Sequence, residues 1–224
     1  MERVKVWDGW VRLCHWGIVA CLTVSYFSAR NEAWDVHYVS GYTLLGLLGF
    51  RILWGFVGSE NARFAHFLRS PAAALRHLAH LFRREPDIET GHNPAGGWMA
   101  LVLLLMLAVQ AGSGLFANHD VGFTYSQHGP LAMSVSEASS EWATTLHVTF
   151  FDWLLVAVAL HVLAVLAYAL FKRQDLVRPM VTGSKAMPAG AAVPPRHGHP
   201  LLAVALAVAA ALGVWAVTRF GGGA

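Results

Sequence analysis

The chain has 224 residues, of which 56% are hydrophobic and 13% are charged, and its mean hydropathy is +0.48. A soluble domain of ordinary composition has a charged fraction nearer about a quarter, so this composition favours an integral membrane protein. The net charge is only +3, and its basic residues cluster as membrane topology requires, which argues against nucleic-acid binding.

Five apolar segments are long enough to cross a bilayer, for which a helix needs about 20 residues. We predict spans over residues 13–29, 37–57, 97–117, 146–171 and 200–217. The predicted fold class is all-α: residues 1–183 form a four-helix membrane bundle, residues 184–199 a linker rich in Pro, Gly and Ala, and residues 200–224 a fifth transmembrane helix and tail. We expect the first span to be retained, because cleavage after Ala29 would place the bulky Phe27 where a signal peptide needs a small residue.

The first span carries His15 near its start, together with the only two cysteines, Cys14 and Cys21. No Cys-x-x-Cys-His sequence is present to attach a c-type haem, and we expect both thiols to be packing residues. Any haem would therefore be held without a covalent bond, as haem b.

The second span begins at His37, and Arg51 follows fourteen residues later on a similar face, about 21 Å along the helix. A buried guanidinium needs an anionic partner, and a haem propionate would provide one. The alternative is that Arg51 extends to the membrane interface, since the helix end is near.

A short amphipathic helix is predicted over residues 72–84, with Ser70 as its N-cap and Pro71 at its first position. His77 and His80 on this helix are three residues apart but lack further ligands at metal-binding spacing.

The Gly91-His92-Asn93-Pro94 sequence then breaks the chain before the third span. His92 is a candidate to bind a quinone head group or a haem propionate, and a histidine exposed to water in a turn is the alternative.

The third span contains Gly112 and Gly114, which would permit close approach of a haem face or another helix. Ahead of the fourth span, Ser134 and Glu137 form a capping-box pattern, so this helix is expected to begin well outside the apolar segment.

The fourth span carries His147 and His161, fourteen residues apart. At about 100° per residue, fourteen steps end about 40° short of four full turns. Both imidazoles therefore project from nearly the same face, about 21 Å apart along the axis, and one helix can ligate two stacked metal centres.

Basic residues predict the orientation. Thirteen of the sixteen Lys and Arg residues lie in the N-terminus and in residues 58–96 and 172–199. In residues 30–36 and 118–145, most of the charged side chains are acidic. The positive-inside rule then places the N-terminus in the cytoplasm and the C-terminus in the periplasm of a bacterial inner membrane.

With this topology the four histidines form two pairs, at two depths. His15 and His161 lie at the inner depth, and His37 and His147 lie at the outer depth. Each pair can bind one haem iron by two axial imidazoles, a closed arrangement suited to electron transfer. A single intramembrane histidine could instead bond to a neighbouring helix, but four at matched depths favour ligation.

Several motifs, in their order and spacing, resemble the prokaryotic cytochrome b561 family, and within it the cytochrome b subunits of membrane-bound nickel-iron hydrogenases. They are Arg12-Leu13-Cys14-His15-Trp16, His37 leading to Gly41, Arg51-Ile52-Leu53-Trp54-Gly55-Phe56-Val57-Gly58, Ala62-Arg63-Phe64, Gly91-His92-Asn93-Pro94-Ala95-Gly96, His147 with His161, and Leu176-Val177-Arg178-Pro179-Met180 through Gly183.

The resemblance covers residues 3–183 and implies a cytochrome with two haem b groups that exchanges electrons with the quinone pool. It assigns axial ligation to His15, His37, His147 and His161. We therefore expect an electron-transfer subunit of an oxidoreductase, with membrane lipid, quinone and a hydrogenase-like or cytochrome c-like periplasmic protein as partners. The alternatives are a stand-alone quinol-dependent reductase or oxidase of a small species such as superoxide, and, if haem is absent, a histidine-lined metal or proton transporter.

Overall fold

The computed structural model describes residues 2–80, 89–120, 126–188, 190 and 193–221. In chain order, the elements are β1 (Glu2–Lys5), α1 (Gly9–Arg30), α2 (Trp34–Val57), α3 (Phe64–Phe67), α4 (Pro71–Ala79), α5 (Pro94–Phe116), β2 (Asn118–Asp120), β3 (Ser126–His128), α6 (Glu137–Phe171), α7 (Val177–Thr182), β4 (Ser184–Met187) and α8 (Pro200–Phe220). Short 3₁₀ helices cover Glu60–Ala62 and Ala132–Ser134.

Five helices are long and apolar enough to cross a membrane: α1, α2, α5, α6 and α8. The predicted all-α membrane fold with five spans is thereby confirmed. Large apolar side chains on these helices are exposed, such as Leu160 at 53% and Leu170 at 73%. Exposure of this kind suits helices surrounded by lipid, because hydrocarbon does not penalise apolar surface.

Four of the long helices, α1, α2, α5 and α6, begin earlier than the hydropathy pattern predicts, and the starts of α1 and α6 show how polar residues extend and cap them. Helix α1 begins at Gly9, and Asp8 caps it by accepting the Val11 N–H on Oδ1 at 2.7 Å. Helix α6 begins at Glu137, where Ser136 Oγ accepts the Ser139 N–H at 3.3 Å. The early start of α6 is therefore as predicted.

The predicted capping box at the start of α6 is wrong, because Ser134 is not the N-cap. Ser134 lies in a 3₁₀ helix, and its hydroxyl donates to the Leu131 carbonyl at 2.7 Å. The N-cap position belongs to Ser136, two residues nearer the helix, so the S-x-x-E spacing does not mark the cap here.

The connection between α2 and α5 contains two N-caps, of which only Ser70 was predicted. Ser70 Oγ accepts the Ala73 N–H ahead of Pro71, as predicted for α4. This helix is described as far as Ala79, and residues 81–88 of the predicted helix lie outside the described residues. Asn93 Oδ1 accepts the Gly96 N–H at 2.7 Å, which fixes the start of α5 at Pro94.

The chain divides into two compact units. The first contains Met1–His15, Arg51–Leu103 and Ala157–Ala205, and the second contains Trp16–Phe50, Leu104–Val156 and Leu206–Ala224. The two predicted histidine pairs follow this division: His15 and His161 belong to the first unit, and His37 and His147 to the second.

A two-stranded sheet in the first unit joins the N-terminus to the predicted linker. Strand β1 pairs antiparallel with β4, with Glu2 opposite Met187 and Lys5 opposite Ser184. Just before β4, Gly183 adopts the left-handed conformation with φ 86°, and its carbonyl accepts the Val6 N–H at 2.8 Å. The residues of the predicted linker, 184–199, therefore begin with a strand.

The same unit fully buries the large side chain of Trp54, which is 0% exposed and donates from Nε1 to Asp8 Oδ2 at 3.1 Å. A Cβ on Gly198 would lie 2.6 Å from the Trp54 ring, so only glycine permits this approach. The Gly198 N–H donates to Ser59 Oγ at 2.8 Å, which fixes the segment preceding α8 against the end of α2.

Candidate functional site

The second unit brings together His37 of α2 and His147 of α6, with ring centroids 6.2 Å apart and planes at 89°. We call this pair the outer site, after its predicted depth. Two imidazoles that share one metal should lie at roughly this separation, since a metal–nitrogen bond is about 2 Å and the ring centre lies about 1.2 Å beyond the nitrogen. Twice that sum is roughly 6 Å, so the separation of the two rings fits a single iron held by both.

Backbone carbonyls fix the orientation of both rings. His37 Nδ1 lies 2.9 Å from the Ser25 carbonyl oxygen, and His147 Nδ1 lies 2.8 Å from the Gln110 carbonyl oxygen. A carbonyl can only accept, so in each ring Nδ1 carries the proton. The unprotonated Nε2 of each ring is then available to bind a metal, in the arrangement common to ligating histidines.

Helix α5 supplies two further residues that shape the outer site. The buried Gln110 donates from Nε2 to the His147 carbonyl at 2.8 Å, which ties α5 to α6 at the level of the ligand. A Cβ on Gly114 would lie 2.8 Å from His147 Cε1. The predicted close approach at Gly114 is therefore to the imidazole of His147, whereas a Cβ on Gly112 would meet nothing within 4 Å.

The first unit contains His15 and His161, together with His92 and Arg51, and we call the pair His15 and His161 the inner site. Both ligand candidates are half-buried. They lie near each other, and both lie near His92.

The ring of His92 lies between two aromatic side chains. Its centroid is 4.8 Å from that of Trp7 and 4.6 Å from that of Phe67. Burial, followed by the nearby positive charge of Arg51, lowers the pKa of His92 to about 3, so the imidazole is neutral at pH 7. Its Nδ1 is buried without a hydrogen-bond partner among the described residues. A buried polar atom of this kind is suited to a ligand.

Arg51 is buried rather than at an exposed interface, with 7% of its surface accessible. Its Nη1 donates to the Ala62 carbonyl at 3.3 Å, and its guanidinium carbon lies 5.6 Å from the Phe64 ring centre. The alternative that Arg51 extends to the interface is thus disfavoured. The negative charge of Asp8 is near enough to offset part of the positive charge of Arg51. Hydropathy did not indicate this neighbour, although Asp directly before Gly9 is an N-cap pattern.

A conventional multi-ligand metal centre does not occur in the part of the chain that the structure describes, where no three His, Cys, Asp or Glu side chains converge. His77 Nε2 lies 2.6 Å from the hydroxyl of Tyr168, so this histidine is hydrogen-bonded to α6.

Comparisons with known proteins indicate the family of this chain. The family model described as prokaryotic cytochrome b561 matches residues 6–183. A probable Ni/Fe-hydrogenase B-type cytochrome subunit of Bradyrhizobium diazoefficiens is 24% identical, over 81% of this chain and 85% of the relative. A protein of the same description from Azotobacter chroococcum mcd 1 is 26% identical, over 80% of this chain and 87% of the relative. No solved structure matches the chain.

Proposed function

The chain belongs to the prokaryotic cytochrome b561 family, and on that premise we propose that it carries electrons between a periplasmic hydrogenase-like partner and the quinone pool. Family membership makes it a membrane electron carrier of the haem b type. We further propose that it holds two haems, one at the outer site of His37 and His147 and one at the inner site of His15 and His161.

The observation that carries the proposal is the geometry of the outer site. Its two rings stand 6.2 Å apart, and each donates its Nδ1 proton to a helix carbonyl. Both Nε2 atoms are then available, so the two neutral imidazoles would hold a haem iron suited to electron transfer. Haem, when bound there, supplies a one-electron carrier.

The inner site is proposed from the position of its two histidines beside a buried cation. His15 and His161 lie near each other in the same unit as the buried Arg51. A guanidinium that is largely removed from water favours an anion beside it, and we assign Arg51 to a haem propionate.

Quinone exchange is proposed beside the inner site. His92 interacts with Arg51, His15 and His161, and its Nδ1 is the buried atom without a partner described above. A neutral imidazole can hydrogen-bond a quinone oxygen, whereas its low pKa disfavours a role as a charged proton donor.

The proposed partner and location rest on the relatives and on charge. Both relatives are described as probable subunits of Ni/Fe-hydrogenase, which supports a hydrogenase as the partner of this chain. The distribution of Lys and Arg supports a bacterial inner membrane with the N-terminus in the cytoplasm and the C-terminus in the periplasm.

Reduced-minus-oxidised spectra and haem quantification per chain test the proposal. The wild-type protein should show a b-type spectrum and two haems. His147→Ala and His161→Ala should each reduce the content towards one, because each removes one axial ligand from a different site. The matched control is His197→Ala, since His197 is exposed in the segment before α8.

Two results would contradict this proposal. A wild-type chain without haem would favour the transporter alternative. A ligand variant that kept two low-spin haems would show that the pairing is wrong.

A further inference from the structure

Each of the two carbonyls that orient the outer-site histidines also accepts a hydrogen bond from a serine hydroxyl. The Ser25 carbonyl, which accepts from His37 Nδ1 at 2.9 Å, also accepts from Ser28 Oγ at 3.1 Å. The Gln110 carbonyl, which accepts from His147 Nδ1 at 2.8 Å, also accepts from Ser113 Oγ at 3.0 Å. In both helices the serine follows the accepting residue by three positions, so the same local device occurs on both sides of the site.

Both serine hydroxyls are in surroundings that keep these bonds in place. Ser28 is 6% exposed and Ser113 is 8% exposed, so neither hydroxyl can readily exchange the carbonyl for water. Ser113 Oγ is also 3.3 Å from His147 Nδ1 itself, close to the proton that the imidazole donates.

Each carbonyl is therefore shared among more donors than it has lone pairs. A carbonyl oxygen has two lone pairs, and within a helix it already accepts the N–H four residues later. The serine hydroxyl and the imidazole therefore compete for the remaining lone pair of the carbonyl oxygen, as donors do in other shared hydrogen bonds. The bond from the imidazole is consequently weaker than it would be to an unshared carbonyl.

The strength of this bond matters for an axial ligand. A strong Nδ1–H bond makes the imidazole more basic and more anionic, which stabilises oxidised iron and lowers the reduction potential. A weakened bond has the opposite effect. Hydrogen bonding around the axial ligand is one of the protein's main means of setting a haem potential.

We propose that Ser28 and Ser113 are positioning residues that keep the potential of the outer haem high, by sharing the carbonyls to which His37 and His147 donate. The inference rests on the proposed function, because it requires a haem between these two histidines. A raised potential would make this haem the better electron acceptor of the two for a donor at the outer side.

Redox titration of the serine variants tests the inference. Ser28→Ala and Ser113→Ala should each lower the midpoint potential of the outer haem, identified as the one lost in His147→Ala, and the double variant should lower it further. The inner haem should keep its potential. The low-spin EPR signal of the outer haem should shift in the same variants, since the imidazole becomes more anionic.

Matched controls separate this effect from the loss of any buried hydroxyl. Ser140 lies in the same unit, is 4% exposed and donates to the Phe116 carbonyl at 2.8 Å, which orients no ligand candidate. Ser140→Ala should leave both potentials unchanged. Ser28→Thr and Ser113→Thr keep the hydroxyl and should keep the wild-type potential.

An outer-haem potential that is unchanged or raised in both alanine variants would overturn the inference. If an alanine variant loses the outer haem, the cysteine variant at that position repeats the test, because a thiol is a weak donor and should also lower the potential. Failure of the proposed function is distinguishable, since the wild-type protein would then lack two b haems at the outset. With two haems present and no shift, only the serine inference fails.

Discussion

Gly114→Ala should weaken the outer haem site selectively. The added Cβ would lie 2.8 Å from Cε1 and 3.0 Å from Nδ1 of His147, whereas carbon atoms pack at about 3.5–4.0 Å. The imidazole must then move by roughly 0.7 Å or more, beyond the tolerance of about 0.5 Å for a functional side chain. Overpacking costs about 1–3 kcal/mol, which corresponds to a loss of haem affinity of roughly 5- to 150-fold.

Haem titration of the purified apoprotein, with the content per chain measured from the reduced spectrum, is the assay. The control is Gly112→Ala on the same helix, because a Cβ there meets nothing within 4 Å. Both changes replace glycine by alanine within a helix and gain the same helix propensity, so their difference isolates the contact with His147. Equal haem affinities in the two variants, with the outer potential unmoved in Gly114→Ala, would refute the reasoning.

Two further predictions concern the inner site. Arg51→Leu should lower the potential of the inner haem and shift the outer haem less, because loss of a positive charge destabilises the reduced state; Arg51→Lys should retain most of the potential, and a redox titration with both potentials unchanged in Arg51→Leu would exclude the propionate assignment. His92→Ala should slow reduction of the inner haem by a quinol analogue in stopped-flow measurements while both haem spectra stay intact. The control for His92→Ala is His80→Ala, because His80 is an exposed histidine in the same connection between α2 and α5. Quinol kinetics that do not change in His92→Ala would place the quinone elsewhere.

The membrane helices and the histidine pairs could be predicted from the sequence because both depend on local pattern. Apolar length marks a span, and helical periodicity places His147 and His161 on one face. Helix ends were less predictable, since α1 begins at Gly9 rather than at residue 13, through polar residues that a hydropathy window does not include.

The contacts that orient the ligands could not be predicted in the same way. Whether His147 donates to Gln110 depends on how α6 is rotated against α5, and nothing in either segment alone specifies that rotation. The glycine at position 114 did indicate a close approach, but its partner, an imidazole, required the structure. Asp8 was missed for a related reason, because its interaction with Trp54 joins residues 46 positions apart in the sequence.

The bond from the Val6 N–H to the Gly183 carbonyl has a consequence for how this family can vary. Val6 and Gly183 are the two ends of the segment that matches the family model, residues 6–183, and the distance from the Val6 nitrogen to the Gly183 oxygen is 2.8 Å. When the two ends of a segment lie close together, the chain tolerates circular permutation and added segments at that junction. Helix α8 follows this junction in the sequence and lies outside the matched segment, so the contact that joins the two ends of that segment does not require it.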